Sequence, residues 1–149
     1  MKHINIFTQS SIKSPKAQDG RVIYLLESIY KGEPYTKHEV LDVHANWNEA
    51  SLEAVRQALY RINQPAEIVI WTDCPYIEMN IDRAKQWKEE NYEIFDHGKP
   101  TGEKRKYWEL WDEIFLSLEG CKYKVTTGQN EYTHWLISEL KKKQSLFPE

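Results

Sequence analysis

Only two cysteines, Cys74 and Cys121, occur among 149 residues, and they form no CxxC or metal-ligand pattern. That excludes a disulfide framework and a cysteine-based zinc site, and it suits free thiols in a reducing compartment. The five histidines are scattered without zinc-type spacing. No apolar stretch approaches membrane-spanning length, and the N-terminus Met1-Lys-His-Ile-Asn-Ile lacks the apolar core of a signal peptide. A cytoplasmic protein with no membrane partner is expected. Positive charge is also in short supply. Twenty Lys and Arg against 23 Asp and Glu leave a net charge of −3, which argues against strong non-specific nucleic-acid binding but not against a local basic patch. No internal repeat or low-complexity segment is visible.

What the chain does have is ordinary globular composition, 40% hydrophobic and 29% charged, enough for one domain over residues 1–149 with a single core. Aromatics are plentiful, with six Trp and nine Tyr. They serve either as core and half-buried surface or as stacking platforms for bases or sugars.

The pattern along the chain predicts a mixed α/β protein. Residues 3–8 alternate as a strand and run into a polar turn from Gln9 to Gly20. Val22 to Glu27 and Tyr35 to Val43 complete an antiparallel three-stranded meander, with Lys31-Gly32-Glu33-Pro34 as turn chemistry. Leu52, Val55, Leu59 and Ile62 then fall on one helical face, with Asn46 or Asn48 as cap and Asn63-Gln-Pro as stop. A buried strand over 66–72 after this helix implies a parallel crossover. Helical spacing over Tyr76 to Trp87 precedes a charged excursion, 88–106, either a solvated loop or a substrate-contacting projection. The clearest helix covers 107–118, with Tyr107, Trp111, Ile114 and Leu118 in one stripe and Gly120 as stop. A short strand, Lys122 to Thr126, and a helix from Asn130 to Lys143 with Trp135, Leu136 and Leu140 inward end the chain.

The stretch Glu67-Ile-Val-Ile-Trp-Thr-Asp-Cys-Pro-Tyr76 is the most informative segment. A buried strand here delivers one carboxylate, Asp73, to the edge of a sheet, where ligands commonly sit.

The order of elements and a series of short motifs resemble the ribonuclease H domain family over nearly the whole chain. Phe7-Thr-Gln-Ser-Ser11 resembles the family's aromatic-Thr-Asp-Gly-Ser. Asn48-Glu-Ala-Ser-Leu-Glu-Ala54 is similar to Asn-x-Ala-Glu-Leu-x-Ala, and Trp71-Thr-Asp-Cys-Pro-Tyr76 to Ser-Thr-Asp-Ser-x-Tyr. Trp87-Lys-Glu-Glu-Asn-Tyr92 resembles Trp-Lys-x-x-x-Trp, Lys99-Pro100 and Glu109-Leu-Trp111 resemble Lys-Pro and Asp-Leu-Trp, and Asn130-Glu-x-x-His134 stands where the family has Asn-Glu-x-x-Asp. The resemblance implies an RNase H-like fold, a five-stranded mixed sheet flanked by helices. It also implies a site in which four carboxylates hold two Mg²⁺ ions for cleavage of the RNA strand of an RNA–DNA hybrid.

By that resemblance the ligand positions are Gln9, Ser51, Asp73 and His134, of which only Asp73 is an acid. Mg²⁺ prefers anionic oxygen, and two such ions bring four positive charges against one formal negative charge. Glu49, Glu53 and Glu131 flank these positions but point elsewhere at helical offsets. The expectation is therefore a degenerate centre with no cofactor, Gln9 and Ser51 forming a hydrogen-bonded plug, and a domain that binds or scaffolds nucleic acid, either RNA–DNA hybrid or double-stranded RNA. Asp73 is read as a surviving ligand or as a strand-end residue bonding nearby amides, and His134 as its ion-pair partner or as a ligand for Mn²⁺ or Zn²⁺. Lys85, Lys88, Lys99, Lys104, Arg105 and Lys106 are candidates to meet a phosphate backbone, or form a solvated face diluted by Glu89, Glu90, Glu93 and Glu103. Two alternatives stand beside this reading. One is an active nuclease, using Mg or Mn, with Asp73, His134 and Glu131 around one ion; the other is a protein-interaction domain anchored by exposed Trp47 or Trp87.

Overall fold

The computed structural model describes residues 1–142. Strands β1 (Lys2–Ser10), β2 (Gln18–Tyr30) and β3 (Glu33–Ala45) form the antiparallel meander. Helix α1 (Trp47–Tyr60) then crosses over to β4 (Ala66–Thr72), which lies parallel to β1. Helix α2 (Pro75–Glu89), a hairpin of β5 (Glu93–Asp96) and β6 (Lys99–Lys104), and α3 (Trp108–Leu118) follow. Strand β7 (Lys122–Thr127) pairs parallel with β4, and α4 (Thr133–Leu140) comes last. The five-stranded sheet has the order β3-β2-β1-β4-β7, mixed as the resemblance implies.

Strand register sorts the side chains into two faces. On one, Ile4, Ile6, Ile68 and Ile70 pack with Leu52, Val55 and Leu59 of α1 and with Trp111, Ile114 and Phe115 of α3. Val69 and Trp71, on the opposite face, are largely covered as well, so β4 reads as a nearly unbroken apolar run rather than an alternating one. Ala50, Ala54 and Ala58 are fully buried and let α1 approach the sheet closely. The other face carries Phe7, Ile23 and Leu25 under Leu136 and Leu140 of α4. Asn46 caps α1, its Oδ1 accepting the Glu49 amide at 2.9 Å.

Four expectations need correction. The strands run further than their apolar cores, so the first turn shrinks to 11–17. Residues 88–106 are not a loop: β5 and β6 form a hairpin turned by His97 and Gly98, both with positive φ. Helix α4 starts at Thr133, because Asn130 and Thr133 bond each other's neighbourhood as a pre-helical turn. Trp135 is not inward but 37% exposed, edge-on to His38, while Leu136 and Leu140 are buried as expected. Lys143, the expected end of that helix, lies outside the described residues.

Candidate functional site

The parallel pairing of β1 and β4 ends at Thr8 opposite Thr72. One step further on, Gln9–Ser10 and Asp73 are neighbours, and the Ser10 amide donates to Asp73 Oδ2 at 3.3 Å. Gln9 lies in the row of Ile23 on β2 and is buried, 7% exposed. Ser51 is buried on α1 beneath the same end of the sheet, beside the Cys74 thiol. Three of the four positions singled out by resemblance thus belong to one end of the sheet. His134 sits on the exposed first turn of α4 and makes no hydrogen bond or ion pair among the described residues.

The cation at this end is one the motifs did not reveal. The Lys13 ammonium, from the turn after β1, contacts Asp73 Oδ2 directly. Asp73's side chain is only 12% exposed, against 46% for Lys13. Lys13 also lies over the Trp47 ring, 5.3 Å from its centroid. The expected partnership of Asp73 with His134 is therefore replaced by one with Lys13. The plug does not form as expected either, because the Ser51 hydroxyl is buried without a well-formed hydrogen bond, as is Asp73 Oδ1. The Cys74 amide bonds Thr72 Oγ1 at 3.1 Å, which fixes the turn into α2. Burial pushes the Cys74 thiol up, against the pull of the Tyr76 amide and the Ser51 hydroxyl, so it is no reactive thiolate.

The donor set does not fit a pair of divalent ions. Its members are an amide, a hydroxyl, an exposed imidazole and one carboxylate already neutralised by an ammonium. Among the described residues no group of three His, Cys, Asp or Glu is arranged to hold a metal.

The predicted basic residues divide into three kinds. Lys85 and Lys99 are exposed, and Lys88 lies 4.0 Å from Asp112. Lys104, Arg105 and Lys106 are each seated on a ring, over Trp108, Trp87 and Tyr107, at 5.2–5.3 Å from the centroids. The Arg105 amide donates to Tyr92 O at 2.7 Å, pinning the hairpin to the end of α2. Asn46 Nδ2 donates to Tyr107 Oη at 2.7 Å, which connects this cluster to the α1 cap and so to Trp47 and Lys13. Cations and rings thus interleave from Lys13 to Arg105. Trp47 and Trp87, expected as exposed anchors, are half-buried members of this ridge. Next to it, a cleft of about 700 Å³ between α1 and α3 is lined by Glu49, Glu53, Glu109, Asp112 and Glu113, with Arg56 among them pairing Glu53 and Glu113, so the wall is net acidic. Burial and the Asp112 carboxylate together raise the Tyr92 phenol far above its usual range.

Comparison with known proteins fits this geometry. The RNase H family profile matches residues 1–128. Among solved structures, LC9-RNase H1, described as a type 1 RNase H with the type 2 active-site motif, superposes with a TM-score of 0.69 at 18% identity, covering 94% of this chain and 72% of that one. The solution structure of the PFV RNase H domain gives a TM-score of 0.62 at 18% identity, over 93% and 90% of the two chains. The foamy viral protease-reverse transcriptase in complex with RNA/DNA hybrid gives a TM-score of 0.59 at 15% identity, over 93% of this chain and 19% of that one. A comparison with curated protein sequences gives no match.

Proposed function

Given that the chain belongs to the RNase H family, we propose that it is a member in which an internal ion pair has replaced the metal-dependent hydrolytic centre, and that it binds nucleic-acid duplexes. The observation that carries this reading is the Lys13 ammonium on Asp73, in a donor set with no second acid. The ring-seated cations Lys104, Arg105 and Lys106 would meet the phosphates. Seating a guanidinium or ammonium on a ring holds it in place while leaving its outer donors free for phosphate oxygens. The acidic cleft beside the ridge confines a duplex to the ridge side, since phosphates are repelled from it. Support for a hybrid as partner comes from the foamy viral enzyme, which shares the fold and is described in complex with RNA/DNA hybrid. Such binding reads backbone and duplex shape, not sequence.

The test is fluorescence anisotropy of a labelled RNA–DNA hybrid at several salt concentrations, with cleavage followed in Mg²⁺ and in Mn²⁺. Binding should weaken steeply with salt, and replacing Lys104, Arg105 and Lys106 by Ala should reduce the logarithmic salt slope by about 3. Cleavage that is abolished by Asp73→Asn would instead establish a working nuclease. Salt-insensitive binding, or none, would refute the nucleic-acid role.

A further inference from the structure

The end of the sheet opposite Asp73 holds a cavity that the nucleic-acid reading does not use. It lies over the start of β1 and under the segment that follows α1, and encloses about 270 Å³. Counting along β1 at roughly 3.3 Å per residue places it about 26 Å from Ser10. A second cavity of about 350 Å³ adjoins it and shares Leu26, Lys37 and Arg61 as its wall. We infer that this cavity binds a small organic anion, an apolar body carrying a phosphate or carboxylate head.

The charge argument comes first. Lys2, Lys37 and Arg61 line the cavity. Neither Lys2 nor Lys37 has a carboxylate partner among the described residues, whereas Arg61 is held in place by Tyr24 Oη at 3.1 Å and by the Glu39 carboxylate at 2.7 Å. The register puts Leu26 opposite Lys37, so the stem of Lys37 shares a face with the cavity floor. Glu27 contributes only backbone to this wall. Its carboxylate belongs to the other face, accepting from Asn5 Nδ2 at 2.9 Å and Tyr132 Oη at 2.5 Å. Three cations therefore line the cavity; Glu39 offsets Arg61 in part, while Lys2 and Lys37 keep their full charge toward it.

The floor is of the other kind. Ile4, Leu26 and Ile62 supply apolar surface between the cations. Neutral donors from Ser28, Asn63 and Gln64 stand at the rim. An apolar base with a few convergent polar groups is the usual composition of a small-molecule site, and the two cavities together reach the usual size. The planar guanidinium of Arg61, fixed on one edge by Tyr24 and Glu39, is preorganised for an oxyanion on the edge that remains. A bare inorganic ion would leave the apolar floor wet, which is why the ligand is assigned an apolar body.

The test is an NMR titration of the full chain with phenyl phosphate, following backbone amides, with benzoate, phenol and inorganic phosphate in parallel. Saturable shifts are expected at Leu26, Ser28, Ile62, Asn63 and Gln64, and the stronger of phenyl phosphate and benzoate identifies the head group. Lys37→Gln combined with Arg61→Gln should weaken binding at least about tenfold, from loss of charge-assisted hydrogen bonds. Lys2→Gln, which breaks no ion pair of the fold, should weaken it about threefold on the same grounds and keeps the test open if the double variant misfolds. Asp73→Asn should change nothing here. Phenol binding as well as phenyl phosphate, inorganic phosphate binding as well as either, unchanged affinity in the lysine and arginine variants, or shifts centred on Lys104 to Lys106 would each overturn the assignment.

Discussion

Replacing Lys13 with Met keeps the length of the side chain and its cover on Trp47 but withdraws the ammonium from Asp73. The carboxylate, 12% exposed, is left with one long bond from the Ser10 amide and with Oδ1 buried and unpartnered. Removing one member of a fully buried pair costs about 3–5 kcal/mol, and an exposed pair is worth about 0–1 kcal/mol. Lys13 is 46% exposed, so water and salt already screen part of the interaction. The expected loss lies between those limits, about 1.5–3 kcal/mol. For a chain of this size that corresponds to a fall in Tm of roughly 3–12 °C. Asp73→Asn removes the charge together with the need for its partner and should cost less than Lys13→Met. The double variant isolates the pair, because its cost should fall short of the sum of the two singles by about 1 kcal/mol or more. Calorimetry or urea denaturation of the four proteins measures this. A near-neutral Lys13→Met, or strictly additive singles, would show that the ammonium does not hold this end of the sheet, and the account of the replaced metal centre would fall with it.

A second prediction concerns alkaline pH. The Tyr132 phenol donates to the buried Glu27 carboxylate at 2.5 Å, and this bond, with some burial, pushes its pKa up to about 12. A raised folded-state pKa means the contribution is intact below the unfolded value near 10 and is lost as pH rises toward 12. The stability gap between the native protein and Tyr132→Phe should be constant up to pH 10 and close above it; a gap unchanged at pH 12 would refute the linkage. A third prediction rebuilds the family's site. Gln9→Asp, Ser51→Glu and His134→Asp together should take up Mg²⁺ poorly while Lys13 remains, and measurably once Lys13→Met is added. Equal uptake with and without Lys13, by calorimetry on folded protein, would contradict the claim that the ammonium occupies the cation's place.

The fold was legible because periodicity and burial agree over most elements. The α1 stripe of Leu52, Val55 and Leu59 and the apolar run Ile68-Val-Ile70 in β4 each admit one sensible reading, and both occur as read. The β5–β6 hairpin was not legible. Its strands are short and largely exposed, with Pro100 and five charged residues (Glu93, Asp96, Lys99, Glu103 and Lys104) in them, so no alternation survives to signal it. The only trace is His97-Gly98, a turn pair of the kind that accepts positive φ at both positions. Trp135 failed for a different reason. Leu136 and Leu140 are four apart and share a helix face, whereas Trp135 is one residue, about 100°, off that face. At the site, motif order located Gln9, Ser51 and Asp73 at one end of the sheet. It could not supply Lys13, which lies in a polar turn and reaches Asp73 only because the turn folds back. The usable signal was physical: a nearly buried carboxylate with no second acid beside it calls for a cation, and the nearest turn carries one.

That requirement also explains why the basic residues matter differently along the ridge. Lys13 is matched one-to-one by Asp73, so this end of the sheet would present a nearly neutral floor to an approaching phosphate. Lys88 is likewise partly offset by Asp112. Lys104, Arg105 and Lys106 are balanced by π-faces instead of carboxylates, and a ring stabilises a cation without cancelling its field at a distance. On the proposed reading, attraction for a duplex would therefore be concentrated at the hairpin end, with the net acidic cleft between α1 and α3 disfavouring the other side. An overall charge of −3 is compatible with such binding because what steers a polyanion is the local arrangement of unpaired cations, not the sum over the chain.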